Sequence, residues 1–342
     1  MNKKMKAAVF EGVGILKVKE VEVPVIKNPD ELILEVEVCS ICGTDVHIMK
    51  IPPGYEAKPG TILGHELVGK VVEKGEKVKT LEIDDRVVIN PDVFCGICRY
   101  CQKELFNECE NIISMGIEAD GGFAEYFKIS ERVVHKINKH LSAEIAAFAE
   151  PLACAVNGMN KIKVEFGESA LIMGAGPIGL IFTQLLKAEG INPVIVSEPT
   201  ELRQEYARKC GADYIVNPFQ TDLEKYVKDI IGTGVDVAVD AVGSQLNECI
   251  KAVRKGGRIL LFGLNTLAQA VIKQSEITTK EIQIFGTWLA NDNFPRAVEI
   301  LESGILNLEL LITHKLGLDE IHKGINLLDK GEGIKVLIYP KR

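Results

Sequence analysis

Two sets of residues in this chain have the chemistry of metal ligands, and a third has the shape of a phosphate cradle. Cys95, Cys98, Cys101 and Cys109 offer four thiolates within fifteen residues, spaced C-x2-C-x2-C-x7-C. That is enough to close a tetrahedral, all-cysteine zinc site of the structural kind. The same opening also begins an iron–sulfur pattern, but that pattern brings its fourth cysteine after three residues and follows it with proline. Here the fourth comes after seven and precedes Glu110, so structural zinc is the expectation.

The second set is dispersed: Cys42 in CGTDVH (42–47), His65 and Glu66 in GHE (64–66), and Glu150 just before Pro151. One thiolate, one imidazole and a carboxylate make the mixed donor set of a catalytic zinc, which leaves a position for water or substrate. Adjacent residues of a regular strand point to opposite faces, so His65 and Glu66 cannot both ligate from one. Two arrangements remain open. Either the backbone turns there, or Glu66 stands behind the ligands while Glu150 or water fills the site.

The third set is Gly174-Ala175-Gly176-Pro177-Ile178-Gly179, a G-x-G-x-x-G that leaves the apolar run SALIMGAG and opens PIGLIFTQLLKAEG. Glycines mark many harmless turns, but this one lies between a strand and a helix, which is the dinucleotide-binding context. Gly174 permits the tight turn, Gly176 lets backbone approach a pyrophosphate, and Gly179 lets helix pack on strand. Free N–H groups of the helix start hold phosphate, and Pro177 needs no partner in that first turn. Glu198 ends the next strand, 24 positions after Gly174, where a carboxylate can accept from the adenosine ribose. It repels a 2′-phosphate, which favours NAD over NADP; Arg203 is placed to stack on adenine or to pair with a phosphate.

Elements that could position these groups fall into two styles. From about 5 to 135 the apolar runs are short, partly alternating and cut by Gly and Pro, as in ELILEVEVCS, HELVGKVVEKG and DDRVVINP. They read as strands of a barrel-like or sandwich-like β domain. After LSAEIAAFAEPLACAVNGMNKI, helical but broken by Pro151, strands alternate with helices as far as EIQIFG (281–286). That rhythm means βαβ units and a parallel sheet. The expected fold class is therefore α/β.

The 342 residues carry 40 basic and 48 acidic side chains, a formal charge of -8. This argues against a nucleic-acid or anionic-membrane surface. No apolar run is long enough to span a bilayer, and MNKKMKAAVFEG has no apolar core of a signal peptide. Of nine cysteines, four crowd between Cys95 and Cys109, and without an export signal such clustering points to metal rather than disulfides, and to the cytoplasm.

Taken together, CGTDVH, GHE, the four-cysteine loop, Glu150-Pro151 and GAGPIG, in that order, resemble the zinc-dependent medium-chain dehydrogenases over nearly the whole chain. The resemblance implies a GroES-like β-rich catalytic domain over 1–150, with 288–342 returning to it. It implies a Rossmann domain over 151–287, NAD, and two zinc ions per chain, one catalytic and one structural. By this resemblance Cys42, His65 and Glu66 bind the catalytic zinc, and Glu150 binds it or holds its water. Thr44 takes the substrate proton and His47 passes it on by way of the cofactor ribose. Zinc stabilises the deprotonated alcohol, and hydride moves to C4 of the nicotinamide. Cys154 is an alternative ligand or a helix-packing residue; Lys335 lies at the pyrophosphate or on the surface; Trp288 borders a substrate cleft or a subunit contact.

GHE and EPLACAV look most like the sorbitol (polyol) and threonine dehydrogenase branch. The leading expectation is NAD-linked oxidation of a polyol or other secondary alcohol. L-threonine 3-dehydrogenase is the rival, and a simple alcohol dehydrogenase comes third. A relative of the quinone reductases without zinc would lack the ligands that this chain keeps. Family habit also implies a homotetramer or homodimer acting on a small molecule.

Overall fold

The computed structural model describes residues 4–342, which divide into two compact units. The first holds the chain up to Ala153 together with Ala290–Gly304 and Ile312–Arg342; the second holds Cys154–Leu289 and Ile305–Leu311.

The first unit opens on an antiparallel ribbon of β1 (Lys4–Gly12) and β2 (Ile15–Glu22). Its main sheet is centred on β3 (Glu31–Ser40), which pairs antiparallel with β4 (Glu66–Lys74) and with β8 (Tyr126–Ser130). Beyond β4 lie β5 (Arg86–Ile89) and β9 (Val134–Lys136). A separate two-stranded ladder joins β6 (Asp92–Val93) to β7 (Ile113–Ser114). The chain's last strands, β16 (Ile312–Gly317) and β17 (Lys335–Tyr339), complete the main sheet, with Ile338 opposite Cys39 and Leu337 opposite Ser40. Leu32, Leu34 and Val36, at period two along β3, enter the same core as Val71, Val87, Phe123 and Phe127.

The second unit is a six-stranded parallel sheet of β10 (Ala170–Met173), β11 (Val194–Ser197), β12 (Tyr214–Val216), β13 (Val235–Asp240), β14 (Val253–Leu261) and β15 (Gln283–Gly286). The order across it is β12-β11-β10-β13-β14-β15. The reversal between β10 and β13 is the topological switch where dinucleotides bind in such sheets. β10 and β11 are buried at every position, as strands covered on both faces must be.

The stretch 141–162 is broken as expected into two helices, Ala143–Ala146 and Ala149–Ile162, and Pro151 lies in the first turn of the second, where its missing N–H is not needed. One element departs from the sequence expectation. The helix expected to reach Arg254 stops at Ala252, because Val253 already pairs with Val235 in the sheet. No helix among the described residues is long and apolar enough to cross a membrane.

Candidate metal and cofactor sites

The loop between β6 and β7 brings the four cysteines together, their sulfurs all within 4.8 Å of one another. Sγ–Sγ distances are 4.0 Å for Cys95–Cys101, 3.5 Å for Cys98–Cys101 and 3.9 Å for Cys98–Cys109. A tetrahedron of thiolates around zinc has edges of about 3.8 Å, so the cluster already has the dimensions of a zinc shell. Backbone N–H groups point at it: Cys95 and Asn111 donate to the Cys109 sulfur, and Cys98 to that of Cys95. The N–H groups of Ile97 and Cys98 bring the Cys95 thiol down to about 6, whereas burial pushes Cys101 up to about 12. Phe94 packs on Phe106 at 4.4 Å, and the Arg132 guanidinium lies 4.8 Å over Phe94, bracing the base of the loop.

Cys42, His65 and Glu66 form the second group of donors within 4.8 Å. The puzzle of neighbouring ligands is resolved by the backbone. β4 starts at Glu66, and His65 precedes it, outside the strand and just after Gly64 at φ +94°. A Cβ at Gly64 would lie 2.8 Å from Phe123 and 2.9 Å from the Cys39 sulfur, so that turn requires glycine twice over. Cys42 caps the short helix Gly43–Met49, its N–H donating to Asp45 Oδ2 at 2.8 Å.

Asp45 was not singled out from sequence, yet it supports the imidazole. Its Oδ1 lies 3.9 Å from His65 Nδ1, and both atoms are buried without a hydrogen-bond partner. Burial raises the Asp45 carboxyl to about 6. Burial works to lower His65, but Cys42 and Asp45 outweigh it and hold it well above its ordinary value. The surroundings of this ring therefore favour positive charge, as a cation site of thiolate, imidazole and carboxylate should.

Glu66 is also spoken for from behind. It is 2 % exposed, accepts from the Ser40 hydroxyl, and forms an ion pair with Lys335, itself 2 % exposed. Burial works to lower the Lys335 ammonium, and the charges of Glu66 and Cys42 outweigh it to leave it raised. The placements of Lys335 at the pyrophosphate or on the surface are thus corrected: this lysine is a buried counter-charge, brought to Glu66 by the pairing of β17 with β3.

Glu150, in the first turn of its helix, stands outside the three-donor group, though its charge reaches both Cys42 and His65. Cys154 is likewise outside that group, half-buried within the helix. Thr44 and His47 lie on the Gly43–Met49 helix, one turn apart and both half-buried. Burial, with Lys50 behind it, holds His47 below its ordinary value, so the ring is neutral at pH 7. Trp288, 39 % exposed, gives its carbonyl to the Asn157 amide.

In the second unit the glycine loop divides its labour. Gly174 has φ +90°, which permits the turn. A Cβ on Gly179 would sit 1.9 Å from the Gly174 carbonyl, so helix and loop touch backbone to backbone. A Cβ on Gly176 would meet nothing within 4 Å, leaving open space at the head of the helix Pro177–Ala188. That space, free N–H groups and the switch-point position suit a pyrophosphate. Glu198, 3 % exposed, already accepts from the N–H groups of Ala175 at 2.8 Å and Thr200 at 2.9 Å. Arg203 Nε is buried without a partner, as is Ser197 Oγ.

Comparison with known proteins agrees with this geometry. Residues 28–139 match the model of the alcohol dehydrogenase GroES-like domain, and 177–303 that of the zinc-binding dehydrogenases. The L-threonine 3-dehydrogenase of Thermococcus kodakarensis is 37% identical over 337 residues, covering 94% of either chain. The sorbitol dehydrogenase of Bacillus subtilis is 33% identical over 346 residues, covering 99% of this chain and 98% of its own. Among solved structures, one described as a zinc-binding dehydrogenase from Sinorhizobium meliloti bound to NADP superposes with a TM-score of 0.93. It is 31% identical and covers 98% of this chain and 99% of its own.

Proposed function

We propose, from the premise that this chain belongs to the zinc-dependent medium-chain dehydrogenases, that it oxidises a polyol to a ketone with NAD as the hydride acceptor. Members of the family are oxidoreductases that use zinc and a nicotinamide dinucleotide on small alcohols. The observation that carries the polyol reading is the commitment of Lys335 to Glu66. Among the described residues acting on Cys42 and His65, the others are carboxylates, with Glu150 and Asp45 chief among them. A neutral, hydroxyl-rich substrate suits such a centre. An α-carboxylate would need a cation, and the one at hand is engaged.

Zinc, when bound, supplies a Lewis acid that lowers the pKa of the substrate hydroxyl. Cys42 and His65 hold it, with Glu66 or Glu150 as the carboxylate, while Cys95, Cys98, Cys101 and Cys109 hold the structural ion. Thr44 accepts the substrate proton at its hydroxyl, and neutral His47 carries it towards solvent. The glycine loop of Gly174, Gly176 and Gly179, with Pro177 and Ile178 opening the helix, seats the pyrophosphate. Glu198 places negative charge near the ribose, which favours NAD; Arg203 completes the adenosine end. The protein works as a homodimer or homotetramer in the cytoplasm.

A second reading, oxidation of L-threonine, is favoured by the 37% identity to a threonine 3-dehydrogenase and by carboxylates that could hold an ammonium. NADH formation against polyols, L-threonine and simple alcohols, each with and without a zinc chelator, separates the two. Chelator-sensitive turnover of a polyol supports the proposal. Turnover of L-threonine alone moves the substrate to the second reading.

A further inference from the structure

Asp240 is a buried carboxylate at the carboxyl end of the parallel sheet, outside both metal sites and the glycine loop. It closes β13 and is 2 % exposed. Its Oδ1 accepts from the N–H groups of Val242 at 2.9 Å and Gly243 at 2.7 Å, and its Oδ2 from that of Gln245 at 2.7 Å. Its carbonyl accepts from Phe262 at 3.0 Å and Gly263 at 2.8 Å, the residues that follow β14. One residue thus holds the loops after both strands. These loops touch backbone to backbone: Gly243 turns at φ +89°, and a Cβ there would lie 2.6 Å from the Gly263 carbonyl oxygen. A Cβ on Gly263 would in turn run into the Gly243 nitrogen, so the two loops form one rim. Burying a carboxylate is costly, and an ordinary turn does not need one, since asparagine would supply the oxygen that Val242 and Gly243 use. The second oxygen is what aspartate adds, and it pins Gln245.

The rim stands against the cofactor cradle. β13 neighbours β10 across the switch point, and the register lays Asp240 beside Met173, the residue before Gly174. Ala241 N–H donates to the Met173 carbonyl at 3.2 Å, which carries that ladder to the start of the loop. Val242 then reaches over the glycine turn: a Cβ built on Gly174 would lie 2.7 Å from its Cγ2. The valine is nevertheless 44 % exposed. It is an apolar side chain left open at the carboxyl ends of the strands, beside the switch point where dinucleotides cross such sheets. With the adenosine on the Glu198 side of the glycine loop, the rest of the cofactor runs over β13 and β14, past Val242.

We propose that Val242 is the apolar wall on which the dinucleotide packs beyond its adenosine half, and that Asp240 is the residue that positions this wall. The inference rests on the cofactor placement above and is independent of which alcohol is oxidised. Packing the second ribose and the pyrophosphate stem on the valine removes apolar surface from water. The rim is already fixed by both oxygens of Asp240, so binding does not bear the cost of ordering it.

The test measures dissociation constants of NADH, ADP-ribose and AMP by calorimetry in the zinc-loaded wild type, Val242→Ala and Asp240→Asn, with melting temperatures alongside. ADP-ribose keeps the pyrophosphate and the second ribose, whereas AMP ends before them. Val242→Ala, at a partly exposed position where truncation does not threaten folding, should weaken NADH and ADP-ribose by about 3-fold and leave AMP unchanged. Asp240→Asn frees Gln245 and loosens the whole rim, so the same two ligands should lose roughly 10-fold, with AMP again spared. Equal losses on all three ligands in Asp240→Asn would make Asp240 a structural residue only, and an unchanged NADH affinity in Val242→Ala would remove the wall; either result overturns the proposal. If Asp240→Asn does not fold, Val242→Ala decides alone. A wild type that binds neither NADH nor ADP-ribose would instead overturn the cofactor reading on which the proposal rests.

Discussion

The four thiols of the cysteine loop lie no more than 14 residues apart, and the N–H groups aimed at them come from the same loop. The donors Cys42, His65 and Glu66 instead come from two separate stretches, and Glu66 meets a lysine 269 residues away on a third. One centre is therefore a local device that a short peptide loop can nearly assemble alone. The other exists only once β3, β4 and β17 have paired. The difference says where each centre is vulnerable: the first to changes in its loop, the second to changes almost anywhere in the sheet that aligns it.

The largest effect should come from His65→Ala. Removing the imidazole strips the catalytic metal, and turnover should fall on the order of 10^4-fold. Metal analysis should find one zinc ion remaining, held by the cysteine loop. Loss of both ions would break the claim that the two centres assemble independently.

Lys335→Met comes next and probes the distant half of the comparison. It leaves Glu66 buried without its counter-charge, which should cost about 3–5 kcal/mol of stability in denaturant titration. In the double variant with Glu66→Gln much of that cost should return, since no buried charge is then left unpaired. If Lys335→Met unfolds at the same denaturant concentration as the wild type, the ion pair is not holding the site.

Cys98→Ser tests the local half. It should release the structural zinc and loosen the loop, with proteolysis between β6 and β7, yet lower the melting temperature by only about 5 °C because the damage stays local. The catalytic zinc should remain. A variant that loses turnover as completely as His65→Ala would show that the loop is no separate module.

The same contrast explains what could be read from the sequence. The four cysteines and the glycine loop were legible because their chemistry is written in spacing: the ligands of one site, or the turn, strand and helix of one cradle, are consecutive. Cys42, His65 and Glu66 were legible only as types in an order. How His65 and Glu66 could face one site was not, because the answer is the left-handed turn at Gly64. Asp45 and Ser40 carried no signal that separates them from ordinary strand and helix residues, and Lys335 was read at the pyrophosphate or on the surface rather than behind Glu66. Their role appears when β17 lays Leu337 and Ile338 beside Ser40 and Cys39. Glu198 was legible as the acid that ends a strand after the glycine loop, but not as a buried one, and its grip on the Ala175 and Thr200 N–H groups depends on how the loop curls back over β11.

The smallest effect concerns His47, which belongs to the dispersed centre but sits on the same short helix as Thr44 and does not need the distant strands to be placed. Burial, then Lys50, keeps its ring below the ordinary histidine value, with Asp329 pulling weakly the other way. Because the folded state resists protonation more than the unfolded chain, the stability tied to this group is present above the ordinary histidine pKa and is lost as pH falls through that range. Its neutral form is also the one that can accept a relayed proton. The acid limb of kcat/KM should therefore lie below the pKa of a free histidine. His47→Gln should lower turnover at pH 7 by only about 10-fold, since half exposure lets water take over part of the relay. In that variant the limb should flatten while the zinc content stays at two. An acid limb that persists in His47→Gln would assign it to another group at the centre, and would leave the helix Gly43–Met49 contributing Thr44 and the Asp45 support for His65 but no proton path of its own.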